Sequence, residues 1–165
     1  MGAGKSAVGR RLARRLDWDL LDSDRQVEEL AGRSVPEIWR ADGEAAFRRL
    51  ESQVLADALA STTPRVIAAA GGVVLDEGNR RLLRLHRPVV WLRAPVETLI
   101  ARVRKGEGRP LLDDDPAGAM RRLDAERRPL YEEVADLAVD VDNDHSADHV
   151  TERIVRMLGL SAVAS

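Results

Sequence analysis

Cysteine is absent from these 165 residues, which excludes disulfides and any thiolate nucleophile or metal ligand. Aromatic residues are scarce: Trp18, Trp39, Phe47, Trp91 and Tyr131 make up 3% of the chain, too few for a platform on which the bases of single-stranded nucleic acid could stack. Neither sign of charge prevails. With 26 basic and 28 acidic residues the formal charge is −2, which argues against a general binder of nucleic acid or of an anionic membrane surface. No apolar run approaches the roughly 20 residues of a membrane span, and Lys5, Arg10, Arg11, Arg14 and Arg15 are not followed by the apolar stretch of a signal peptide. The expectation is a cytoplasmic monomer with neither nucleic-acid nor membrane partners.

The 44% hydrophobic content supports an ordinary core of Leu, Val, Ile and Ala, and the length suits one domain. We place it at residues 1–160, with 161–165 as a loose tail. Val8, Leu12, Ala13 and Leu16 recur at helical spacing after Lys5. WDLLDSD reads as a short strand ending in carboxylates, followed by a helix over about 25–40 and another over about 44–60. VIAAA and VVWL read as buried strands separated by the short helix NRRLLRLH. Beyond them the pattern gives a helix over about 96–104, a polar loop, a helix over about 117–127, the strand LAVDVD and a last helix near 147–158. Alternating strands and helices predict an α/β domain with a parallel sheet and ligands outside the carboxyl ends of its strands.

Several stretches carry chemistry. In GAGKS, residues 2–6, glycines let backbone N–H groups curl around phosphate oxygens at a helix N-terminus, Lys5 reaches the terminal phosphates, and the Ser6 hydroxyl can ligate Mg²⁺. In DSD, Asp22 and Asp24 lie two apart on what reads as extended chain, so both carboxylates point to one side; one of them capping the next helix is the plainer alternative. Arg48 in FRRLE precedes Glu51 by three residues, a spacing at which an ion pair orients the guanidinium, whereas Arg49 suits a solvated face. Gly71 and Gly72 follow a strand and permit either close approach of backbone to a ligand or a plain turn. Arg127 and Arg128, just before Pro129, stand at an expected helix end, where an arginine either grips a carboxylate or complements the helix dipole. Glycines at 106 and 108 would let the loop around Arg109 swing as a lid over about 105–116.

In order, GAGKSAVGRRLA, LLDSD, DGEAAFRRLE, AGG, RPLL and RRPLY resemble the motifs of the shikimate kinase family. The resemblance implies a three-layer P-loop NTPase fold, its parallel sheet ordered 2-3-1-4-5 and flanked by helices. It also implies transfer of the ATP γ-phosphoryl group to the 3-hydroxyl of shikimate, on the route to chorismate and the aromatic amino acids. On that resemblance Gly2, Ala3, Gly4, Lys5, Ser6 and Ala7 hold the nucleotide phosphates, with Arg102 near the adenine and Arg109 as the lid arginine. Ser6 and Asp22 hold Mg²⁺. Asp24 binds the shikimate hydroxyls and is the candidate acceptor of the proton, while Arg48, Arg127, Gly71 and Gly72 position the ring through its carboxylate. Lys5, Asp24 and Arg109 are the expected catalytic residues.

This chain departs from the family pattern at Ala7, where Thr is usual, at Ala70, which replaces the first of three glycines, and at Asp142, Asn143 and Asp144 in the adenine loop. It also begins inside the phosphate loop. The full pattern G-x-x-x-x-G-K-[ST] needs residues ahead of Met1, so the expectation is a native polypeptide that starts upstream, with a first strand that this sequence lacks at the centre of the sheet. Two other readings compete: a kinase of the same fold acting on another acid such as gluconate, and a catalytically impaired paralogue that binds nucleotide.

Overall fold

Apolar spacing and helix-ending residues set the elements of the fold, seen in a computed structural model that describes residues 2–103, 115–141 and 146–160. In α1, Lys5–Leu16, the side chains of Val8, Ala13 and Leu16 are buried while Arg10, Arg14 and Arg15 face water. Gly9 lets this helix lie close on the strands: a Cβ there would sit 3.1 Å from Leu20 and 3.4 Å from Ala68. Strand β1 spans Asp19–Asp22 and runs directly into α2, Ser23–Ala31.

The helix expected over 25–40 is two helices. Gly32, at φ 64°, ends α2 in the left-handed region, and Ser34 starts α3, Val35–Leu59, with its backbone N–H bonded to the Glu37 carboxylate at 2.8 Å. A second break falls within α3 at Gly43, φ 78°, so the segment after it carries Phe47, Arg48 and Glu51 in its own direction. The remaining elements are β2 (Arg65–Ala68), a 3₁₀ turn (Val73–Leu75), α4 (Glu77–Leu85), β3 (Val90–Arg93), α5 (Val96–Val103), α6 (Pro116–Val134), β4 (Leu137–Asp140) and α7 (Ala147–Leu158).

Helix α6 does not stop near Arg127. It continues through Pro129 to Val134, although Pro lacks the N–H of an interior helical bond. Burial outweighs that loss, because Val134, with Leu130 and Tyr131 packed beside it, closes the cluster formed by Val73, Val74 and Leu83. Arg127 is therefore an interior helical residue with a buried side chain.

The strands form two parallel pairs, β1 with β2 and β3 with β4. Among the described residues no ladder joins β2 to β3. A cleft of about 650 Å³ lies there, with Val66, Ala68, Val90 and Leu92 on its walls and Val8 and Leu12 of α1 beside it. Around β3 and β4 the core is Val8, Ile100, Met120, Val139, Val150 and Ile154; Val27, Ile38, Phe47 and Val54 make a second cluster between α2 and α3. Exposed ion pairs, Arg11 with Asp148 and Arg15 with Glu152, fasten α1 to α7, each of modest worth on an open surface. Among the described residues no helix is long and apolar enough to cross a membrane. The expected lid arginine Arg109, residues 142–144 and the tail 161–165 lie outside the described residues.

Burial predicts where the fold is vulnerable. Leu16 is 1% exposed and Leu85 is 77% exposed. Leu16→Ala should cost about 2–5 kcal/mol of unfolding free energy, and Leu85→Ala should stay within about 0.5 kcal/mol of the parent, as read from urea unfolding midpoints.

Candidate active site

The phosphate loop owes its shape to two glycines in the left-handed region, Gly2 at φ 76° and Gly4 at φ 85°, the latter capping α1. That conformation frees the first N–H groups of α1 to face outward, where the helix dipole favours an anion. Ala3 packs against the core beside β3, Lys5 is half-buried at the helix start, and Ala7 lines the same pocket. Arg102 of α5, expected near an adenine, donates to the Gly2 carbonyl at 3.2 Å and so braces the loop.

Asp22 ends β1 facing this loop, and the Ser6 hydroxyl donates to its carboxylate at 2.5 Å. Two hard oxygen donors thus meet beside the helix N-terminus, a set that fits Mg²⁺, which takes few protein ligands and completes its shell with water and phosphate oxygens. Among the described residues no group of three or more carboxylates or imidazoles is placed to hold a metal ion.

Asp24 reaches the site differently from the expectation. It belongs to the first turn of α2 rather than to the strand. The helical step turns Ser23 inward, where its Oγ accepts the Ala70 N–H at 2.7 Å, and leaves Asp24 on the pocket side. The Asp24 carboxyl is open to the pocket but ringed elsewhere by protein, and this desolvation raises its pKa; Lys5 opposes the rise, and Asp22 and Glu28 add to it.

Across the pocket, Arg48 is clamped by two carboxylates, with Nη1 2.8 Å from Glu51 and Nη2 2.9 Å from Glu44. Its guanidinium lies 5.9 Å from the Trp39 ring centre and 5.8 Å from that of Phe47. Glu51 is only 2% exposed; burial raises its pKa while the bond to Arg48 pulls it down. Gly72 is glycine because of this arginine, since a Cβ there would overlap the Arg48 guanidinium. The backbone dihedrals of Gly72 are ordinary, φ −83° and ψ −16°, so space and not conformation imposes the residue. A Cβ at Gly71 would lie 2.8 Å from the Tyr131 hydroxyl and 3.8 Å from Arg127 Nη1.

Arg127 and Arg128 part ways on α6. Arg128 grips Asp124 with two nitrogens and lies 5.5 Å from the Trp91 ring centre, away from the pocket. Arg127, 6% exposed, lines the pocket, and its buried Nε has no hydrogen-bond partner among the described residues. Such an orphaned cationic donor suits an incoming anion. Arg49 is exposed on the outer face of α3.

These groups share one pocket of about 620 Å³, with Gly4, Lys5 and Ser6 at one end, Arg48, Gly71, Gly72 and Arg127 at the other, and Asp24 among them. Sequence spacing does not disclose Ser23 or Tyr131. A sign of the latter is its position four residues after Arg127, the separation that puts two side chains on one helical face.

The geometry has counterparts in known proteins. A family model described as "Shikimate kinase" matches residues 1–159. A shikimate kinase from Ruegeria pomeroyi is 46% identical over 159 residues, covering 96% of this chain and 80% of that protein. One from Symbiobacterium thermophilum is 47% identical over 156 residues, covering 92% and 88%. Among solved structures, a shikimate kinase from Acinetobacter baumannii in complex with shikimate superposes with a TM-score of 0.89 at 34% identity, over 96% of this chain and 88% of that one.

The Asp24 environment predicts its titration. Followed by carbon NMR of the side chain, Asp24 should ionise above the ordinary Asp pKa of about 3.9. Lys5→Met, which removes the opposing cation, should raise that pKa further, and Asp22→Asn, which removes a neighbouring anion, should lower it.

Proposed function

The chain belongs to the shikimate kinase family, and on that premise we propose how its residues transfer the γ-phosphoryl group of ATP to the 3-hydroxyl of shikimate, giving shikimate 3-phosphate and ADP. One observation carries the assignment of roles: a phosphate-binding helix terminus and two arginines suited to a carboxylate face each other in one pocket, with a carboxyl of raised pKa among them.

The loop amides of Gly2 to Ala7 and the Lys5 ammonium hold the phosphates of the nucleotide. Arg102, fixed to the Gly2 carbonyl, keeps the loop in register and borders the adenine side. Ser6 and Asp22 hold Mg²⁺, which when bound supplies charge neutralisation at the phosphates. At the far end Arg48 and Arg127 take the shikimate carboxylate, the first held in place by Glu51 and Glu44, the second with an unfilled donor among the described residues. Gly71 and Gly72 let the ring come close to the backbone.

Asp24 then hydrogen-bonds the acceptor hydroxyl. As the hydroxyl oxygen forms its bond to the γ-phosphorus, the bond from that phosphorus to the bridging oxygen of ADP breaks and the hydroxyl proton passes to Asp24. Desolvation helps here, because a carboxylate whose pKa is raised is a stronger base. Positioning and charge neutralisation dominate the catalysis of such a loose transition state. Arg109, the expected lid arginine, adds positive charge at the transferring group. The enzyme acts as a monomer in the cytoplasm, where ATP is the co-substrate.

A coupled ADP-release assay with ATP, Mg²⁺ and shikimate tests these roles. Shikimate-dependent turnover is expected. Lys5→Ala and Asp24→Asn should abolish it while circular dichroism stays native, and Arg109→Ala should lower kcat by about 10²-fold or more. Parent turnover in any of the three would remove that residue from the site. The acid limb of the kcat/KM profile should follow the raised pKa of Asp24, activity being lost as the pH falls and the carboxylate takes up its proton.

A further inference from the structure

The turn that carries Gly71 and Gly72 lies between β2 and the 3₁₀ turn, outside any ladder. Its ends are tied locally, Val73 N–H to the Ala70 carbonyl at 3.3 Å and Leu75 N–H to the Gly72 carbonyl at 3.0 Å. Among the described residues its middle is held by side chains. Ser23 holds the Ala70 N–H, and the Tyr131 hydroxyl donates to the Gly71 carbonyl at 2.8 Å across 60 residues of chain. Arg127 stands one helical turn earlier on α6, its Nη1 3.8 Å from the place a Gly71 Cβ would take. The Tyr131 ring is in turn fixed by Trp91, whose ring centre is 5.7 Å away and over which Arg128 is laid.

We propose that Tyr131 is a positioning residue of the acceptor pocket: its hydroxyl holds the Gly71 carbonyl and so fixes the glycine turn, beside Arg127, as a preformed face for the shikimate carboxylate and ring. The proposal rests on the reading of that pocket given above. It also explains Gly71, because the hydroxyl occupies the space that a side chain there would need. Tyr131 is not among the residues that line the pocket of about 620 Å³, and its hydroxyl bonds to the glycine turn, so its removal should be felt by the acceptor and not by the nucleotide.

The test is steady-state kinetics on the full chain. Tyr131→Phe keeps the ring against Trp91 and deletes only the hydroxyl; it should raise the shikimate KM about tenfold and leave the ATP KM and kcat within about twofold. Gly71→Ala should raise the shikimate KM in the parent. In the Tyr131→Phe background the same Gly71→Ala change should cost at least about threefold less, because the atom its methyl would strike has gone. Arg127→Ala is measured alongside. If Arg127→Ala raises the shikimate KM and Tyr131→Phe does not, the proposal fails while the pocket assignment stands. If neither moves it, the pocket assignment fails and takes the proposal with it. Equal rises in both KM values, or additive costs in the double variant, mean a merely structural tyrosine and overturn the proposal. Should Tyr131→Phe not fold, the Gly71→Ala variant alone decides: a rise confined to the shikimate KM supports the proposal, and an unchanged value overturns it.

Discussion

The substrate end of the site depends on two missing Cβ atoms. At Gly72 a guanidinium fills the space that any side chain would occupy, and at Gly71 a phenolic hydroxyl does the same. Because the turn is bare, Arg48 and Tyr131 come against its backbone from two different helices, α3 and α6. An arginine brought so far out of water costs several kcal/mol unless a carboxylate accompanies it. Glu51, nearly inaccessible itself, is that carboxylate for Arg48. Among the described residues the buried Nε of Arg127 keeps an unfilled donor, which suits it to an anionic ligand.

The opposite end works by a different principle. At the phosphate loop the attraction for an anion comes from backbone: left-handed glycines, uncapped amides and the dipole of α1, supplemented by Lys5. Backbone amides need no counter-charge, so this end can hold phosphates without the ion-pair clamp that the arginines require. Asp24 stands where the two regimes meet. Desolvation raises its pKa and Lys5 restrains the rise, which makes it a stronger base than an ordinary aspartate. The bond from Ser23 to Ala70 fastens the β1 end to the β2 end and thereby holds Asp24 in a constant relation to the glycine turn.

The sequence alone determined the elements whose signals are local. The amphipathic period of α1, the short apolar strands, the glycine loop before Lys5 and the pair Arg48–Glu51 are all fixed by residues within a turn or two of one another, and each is found at the expected place. Where a local signal was misjudged, the responsible residues are close by: Gly32 and Ser34 divide the helix expected over 25–40, and Asp24 falls on α2 because the strand ends at Asp22. What tertiary structure decided has no local signature. Helix α6 survives Pro129 because distant residues bury Val134 and its neighbours, and Arg127 is chosen over Arg128 by which helical face meets the pocket. Gly71 and Gly72 read alike on the page, but one yields to a hydroxyl 60 residues away and the other to a guanidinium on α3. Spacing along a chain encodes which face a residue occupies; only the packing of several faces against one another decides what fills the space beside it.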